Sequence, residues 1–232
     1  MMPGGRTRAL LTGLGGLLLP GGFLSAAIPD AARADPRFAL GYLVVTHYAG
    51  VRSDGTGDAT AGLQQALDDA YANDLVAFFP LGTYVITDTL RLFQWRPLNA
   101  DGSQATNPYK QKSFQVVGEH GPAGTRPLLR LVPTAATAAG FADPAKPRPL
   151  LLLRHFESDN YPNPSRTVPA DVMAAPAGWS IDTASLFNSC LRNLDFDCGG
   201  QAGAIGVVWP GAQGAYVERV RVDARGAHAG FY

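Results

Sequence analysis

The chain has 232 residues, with 19 basic and 19 acidic side chains and a formal net charge of zero. That balance removes the electrostatic argument for nucleic acid or an anionic membrane as partner. Only 16% of the residues are charged, while glycine (27) and proline (18) are abundant, a mixture that suits short strands and frequent turns and argues against long helices.

Residues 1–34 read as a secretory signal peptide. Arg6 and Arg8 give a positive start, Ala9 to Ile28 is apolar and uncharged, and Ala32-Arg33-Ala34 supplies a small-x-small cleavage pattern before Asp35. Pro20 and the glycines at 13, 15, 16, 21 and 22 make the run a poor membrane-spanning helix. The arginines are split by Thr7, so the twin-arginine signal is not matched, and no cysteine follows the apolar run. The expected location is secreted or periplasmic, with no membrane contact after cleavage. A single domain at 35–232 is long enough to bury a core.

From Phe38 to Ala49 the β-branched and aromatic content predicts a first strand. An acidic glycine-rich turn at 53–58 follows, with Asp58 or Thr60 placed to cap the next helix. In that helix Leu63, Ala66, Leu67, Ala70 and Tyr71 form one apolar stripe, with Gln64, Gln65, Asp68 and Asp69 away from it. A one-sided helix of this kind suits the open end of stacked strands. Strands are predicted at 75–79, 83–86, 89–93, 114–117, 128–132 and 150–153, with Pro80-Leu81-Gly82 as a turn. Residues 98–112, 134–149 and 157–178 read as long loops.

The last fifty residues carry a repeat. Leu191–Asp197 aligns with Val217–Asp223 at an offset of 26, and Ile205–Val207 with Ala229–Phe231 at an offset of 24. Such a period fits one turn of a parallel solenoid. The two cysteines, Cys190 and Cys198, would be about 27 Å apart on a straight strand. That exceeds bridging distance, and only a sharp bend near Asn193 would close it. The favoured reading is two small core or turn residues. No Cys/His set has zinc-ligand spacing.

Asp54-Gly-Thr-Gly-Asp58, Ala66-Leu67, Phe79-Pro-Leu-Gly-Thr-Tyr84 and Val117-Gly-Glu119 together resemble the N-terminal part of the pectate-lyase superfamily. The closer resemblance is to its rhamnogalacturonase/epimerase-type domain, with Leu191 to Tyr232 similar to β-1,3-glucanase-like members. The resemblance spans roughly residues 42–232 and implies a mainly β fold, a right-handed parallel β-helix with an N-terminal capping α-helix. It implies action on a polysaccharide, as a β-glucanase-like glycoside hydrolase first. A pectate-type lyase and a non-catalytic carbohydrate-binding or structural module are the alternatives. Ca²⁺ enters only with the lyase; otherwise no cofactor is expected. In the glucanase-like members the general acid lies far toward the C-terminus, so the chain reads as an N-terminal fragment that lacks it.

Four residues stand as site candidates. Asp197 and Asp223, stacked by the repeat, are a carboxylate couple for hydrolysis or a Ca²⁺ site, set against a role as turn-formers at strand ends. Trp209 could stack on a sugar ring, and His228 is the histidine best placed for substrate contact. Trp95 and Trp179 share the stacking chemistry, with core packing as the alternative. The acidic turn at Asp54 and Asp58 lacks the closing Glu of an EF-hand loop, which leaves helix capping. Neither a metal site nor an oligomeric state follows from the sequence.

Overall fold

A computed structural model describes residues 27–95, 112–157, 168–182 and 186–232. The predicted leader up to residue 26, the predicted loop up to residue 111 and the middle of the loop at 157–178 lie outside them. A short helix, α1 (Asp30–Ala34), leads through a 3-10 turn into β1 (Tyr42–Val44). The expected first strand is thus cut down: Gly41 adopts φ 86°, and 3-10 turns occupy Phe38–Leu40 and Val45–His47.

Helix α2 (Thr60–Ala72) follows. Leu63, Ala66, Leu67 and Ala70 are buried as the stripe predicts. Asp69 is a correction, since it is 1% exposed and accepts a 2.8 Å hydrogen bond from Tyr48 Oη. Burial and that carboxylate push the Tyr48 phenol well above its ordinary range. Asp58 Oδ1 accepts the first-turn N–H of Thr60 at 2.9 Å, although Ala59 holds the cap position itself.

Then come β2 (Val76–Phe79), β3 (Thr83–Ile86), β4 (Leu90–Trp95), β5 (Gln115–Gly118) and β6 (Leu128–Leu131), close to the predicted spans. The turn between β2 and β3 requires glycine. Gly82 has φ +144°, and a Cβ there would lie 2.1 Å from the Ser53 carbonyl oxygen. A short helix, α3 (Ala138–Ala142), interrupts the predicted surface excursion, because Phe141 is fully buried and anchors it. After it run β7 (Arg148–Glu157), β8 (Ser180–Asp182), β9 (Cys190–Arg192), β10 (Asp195–Asp197), β11 (Ala204–Val208), β12 (Tyr216–Glu218), β13 (Arg221–Asp223) and β14 (Ala229–Phe231).

The strands fall into three sheets: β1-β2-β5-β9-β12, β13-β10-β6-β3 and β14-β11-β7-β4, with β8 antiparallel on β7. All other pairings are parallel. From β2 to β14, β8 aside, the chain visits the three sheets in rotation. The repeat is the register itself. Leu191 pairs with Val217, Asp197 with Asp223, and Ile205 with Ala229.

The expected fold class is corrected here. Instead of a mainly β, single right-handed β-helix with one capping helix, the described residues form three separate parallel sheets and three α-helices, a mixed α and β arrangement. The physical reason is that a repeat near 25 residues reports parallel neighbours within a sheet. It leaves open how the sheets stand to one another and what helices the intervening segments form. Sharp corners separate the sheets: Asn193 and Arg219 both take φ 53°, between β9 and β10 and between β12 and β13. Despite the bend at Asn193, Cys190 and Cys198 remain free, buried thiols.

The main core gathers residues of every sheet, among them Phe79, Tyr84, Leu92, Val116, Leu129, Leu153, Leu191, Phe196 and Val207, with the stripe of α2. Helix α2 packs on β1, β2 and β4, where β1 and β4 are the edge members of their sheets. Among the described residues no helix is long and apolar enough to cross a membrane.

Candidate functional site

The second sheet presents the two aspartates named from the sequence. Strand alternation puts Thr83, Leu128, Asp195 and Arg221 in one cross-strand row and Val85, Arg130, Asp197 and Asp223 in another. Thr83, Leu128, Asp195, Arg221, Asp197 and Asp223 border an open groove of about 620 Å³ that also takes in Arg126 and Gly124. Asp197 and Asp223 are direct register neighbours, so the structure does bring this pair together. Each ends its strand in a side-chain turn: Asp197 Oδ1 accepts the Gly199 N–H at 2.9 Å, and Asp223 Oδ1 accepts the Arg225 N–H at 3.3 Å.

Arginines answer the charge. Arg130 Nε lies 3.3 Å from Asp197 Oδ2. The Arg225 guanidinium donates to both oxygens of Asp223, and this contact holds the Asp223 carboxyl down at about 2. A residue so firmly ionised cannot serve as general acid near neutrality. Asp195 follows the same pattern. It pairs in register with Arg221, but its carboxylate is held by Arg126 at 2.7 and 3.2 Å and by the Arg221 backbone N–H at 3.1 Å.

Trp209 and His228 are not brought together. Trp209 follows the last residue of β11, while His228 precedes β14 and bonds through its N–H to Ala204 at the first residue of β11. Five residues of extended strand separate those ends by about 17 Å. Trp209 is half-buried against the main core, and its indole Nε1 is shielded with no hydrogen-bond partner among the described residues. His228 is exposed.

A larger groove, of about 830 Å³, opens where α2 meets β4. Asp58, Gln64, Gln65, Asp68, Tyr71, Arg91, Phe93, Trp95 and Lys112 line it, among others. Its geometry follows from one residue. Gln64 Nε2 donates to the Arg91 carbonyl at 2.8 Å, and Gln64 Oε1 accepts the Arg91 N–H at 2.8 Å, which locks the helix to the strand. The same Nε2 donates to Asp68 Oδ1 at 3.0 Å.

Loss of water to the surrounding protein pushes Asp68 up to about 6, against the opposing bond from Gln64 and the charge of Arg91. The Asp68 side chain nevertheless lies on the exposed rim of the groove, so solvent screens much of that rise. Asp58 goes the other way. Burial raises it, but bonds from the Thr60 hydroxyl and N–H and the Thr87 hydroxyl outweigh burial and leave it below the ordinary value. Of these groups the sequence reading weighed Asp58 for capping and Trp95 for stacking. It left Asp68 on the outer face of the helix, and its signal was only that two charges in succession flank an apolar stripe.

Trp95 and Trp179 sit together with their ring centroids 4.9 Å apart, and Phe156 lies 4.6 Å from Trp95. Both indoles are more than nine-tenths buried, so at these positions packing prevails over an open stacking platform. One group of three mixed imidazole and carboxylate side chains appears among the described residues, His155 with Glu157 and Asp182.

No family model matches this chain, and no curated protein matches it. Among solved structures the chain is similar to "Geobacillus virus E2 - ORF18", at 17% identity over 74% of this chain with a TM-score of 0.38. The chain spans 23% of that protein's length. At that score the likeness carries no argument about fold or function.

Proposed function

We propose that the protein is an exported polysaccharide-degrading protein, a glycoside hydrolase that holds its substrate in the groove between α2 and β4. The observation that supports this reading is a groove of about 830 Å³ that combines polar edges and apolar rings with a carboxyl, Asp68, raised to about 6. Hydrolysis of a glycosidic bond needs a carboxyl that keeps its proton until it is given to the leaving oxygen. Asp68 retains its proton into the mildly acidic range and donates it to the glycosidic oxygen. The second carboxylate, which activates water or attacks the sugar carbon, has to stand within about 9.5 Å of Asp68; Asp58, bonded to the Thr60 N–H at the start of α2, lies eight helical residues or about 12 Å away and does not take that part. Gln65 and Arg91 supply polar edges for hydroxyls, and the partly exposed rings of Tyr71 and Phe93 supply apolar faces.

The test is release of reducing ends from a panel of glucans by the purified protein. Asp68→Asn is expected to lower the rate by about 10²-fold or more, and the wild-type rate to fall as pH rises through about 6. Retention on glucan with neither reducing nor unsaturated ends released converts the reading to a binding module. Unsaturated ends convert it to a lyase, and neither retention nor release sinks it.

A further inference from the structure

We propose that His155, Glu157 and Asp182 form a binding site for one divalent transition-type cation, Zn²⁺ or Mn²⁺, with Gln94 as the residue that orients the imidazole. The proposal stands apart from the polysaccharide reading and uses none of the groove carboxylates.

The strands dictate the grouping. His155 and Glu157 are two apart on β7 and share a face. Asp182 on β8 is the antiparallel partner of His155, and Gln94 on β4 is its parallel partner. Three adjacent strands therefore place four polar side chains on one patch. The ligand atoms of His155, Glu157 and Asp182 all lie within 4.8 Å of one another.

Hydrogen-bond direction then singles out one nitrogen. Gln94 Nε2 donates to the Lys112 carbonyl at 2.7 Å, which leaves its Oε1 facing His155 Nδ1 at 3.0 Å. Oε1 only accepts, so Nδ1 carries the hydrogen. His155 Nε2 then faces Glu157 Oε1 at 2.8 Å, where either a second ring proton or a bound cation joins nitrogen to oxygen, and a cation is the choice that also draws on the nearby Asp182 carboxylate. A carbonyl on the far nitrogen is also the usual way a ligating histidine is held in its tautomer.

Access agrees with this. The His155 side chain is wholly buried, whereas that of Glu157 is 19% exposed, so the group is dry behind and wet in front. An imidazole among the ligands favours zinc or manganese over the all-oxygen shell of Ca²⁺. Tetrahedral ligands at about 2.0–2.1 Å from zinc stand about 3.3–3.4 Å from each other. The Glu157 carboxylate thus has to withdraw from Nε2 by roughly half an ångström, within reach of a small rotation of its side chain.

The test uses the purified full chain after chelator treatment, titrated calorimetrically with Zn²⁺, Mn²⁺ and Ca²⁺ and followed by thermal melting. The expected result is 1:1 binding of zinc or manganese, weaker binding of calcium, and a melting temperature that rises with metal. Glu157→Gln and Asp182→Asn, nearly isosteric and close to the solvent side, should each weaken binding at least tenfold and abolish the thermal shift. Gln94→Ala should weaken it about 10- to 100-fold, and His228→Ala should leave it unchanged. Co²⁺ in place of zinc should show visible bands in the wild type that are lost with His155→Gln. If that buried variant does not fold, the two carboxylate variants decide the matter. No binding by the wild type, a preference for calcium, or binding that survives Glu157→Gln with Asp182→Asn overturns the proposal.

Discussion

Asp68 and Asp69 are neighbours in sequence with opposite circumstances. Asp69 is sealed inside and shares a hydrogen bond with Tyr48, while Asp68 opens to the groove with its carboxyl raised to about 6. A carboxyl whose folded value is raised favours the folded state most when protonated. Its contribution is present below the unfolded value, near 3.8, and is lost as pH rises through about 6. Asp68→Asn removes that loss, so it should raise the melting temperature at pH 7.5 and leave it unchanged at pH 3.5. Solvent contact keeps the gain small. Equal shifts at both pH values would remove the raised carboxyl from the account. The helical stripe was legible at this scale because a period of 3.6 is written into the apolar residues. Asp69 was not, since its partner Tyr48 is 21 positions away and no local pattern announces a buried hydrogen bond.

At the scale of the element, β10 separates packing from charge. Phe196 is 1% exposed, with Leu129 and Val222 as its register partners, whereas Asp197 beside it meets a half-exposed arginine. Phe196→Ala should cost about 3–5 kcal/mol, and Asp197→Ala no more than about 1 kcal/mol. Urea midpoints at constant slope measure both, and equal costs would mean that the outer ion pairs, not the interior, hold the strand.

The register of β9–β11 against β12–β14 was readable because parallel neighbours repeat their patterns. Helix α3 was not readable, because five residues rich in alanine carry no periodic signal and one buried ring, Phe141, decides their shape. The His155 group was half readable. His-x-Glu on one strand is visible in the chain, but Gln94 and Asp182 join it only through strand pairing.

For the whole molecule, the N-terminal boundary is the sharpest case. Ile28 and Ala32 belong to the main core, at 5% and 0% exposure, so removing everything before Asp35 would open that core. Ser25-Ala26-Ala27 offers a second small-x-small pattern upstream. Under the proposal that the chain is exported, its mature form is therefore expected to begin at Ile28, by intact mass or terminal sequencing. A mature terminus at Asp35 would show that α1 is dispensable. The winding of the chain among three sheets could not be read from a repeat of two copies. Pairing is a property of adjacent strands, whereas the arrangement of sheets depends on corners such as Asn193 and Arg219, whose backbone angles leave little trace in residue type.

Strand β7 carries a final implication. Eight successive residues, Pro149 to Phe156, are buried. A strand covered on one side only would alternate, so this one is a dry spine with protein on both flanks. Val172 and Met173 close over Leu152, and Trp179 lies in the cluster of Phe156. Its amides can meet water only when the surrounding layers part, which makes the middle of the third sheet the last region to loosen and a rigid backing for whatever chemistry is mounted at its Glu157 end.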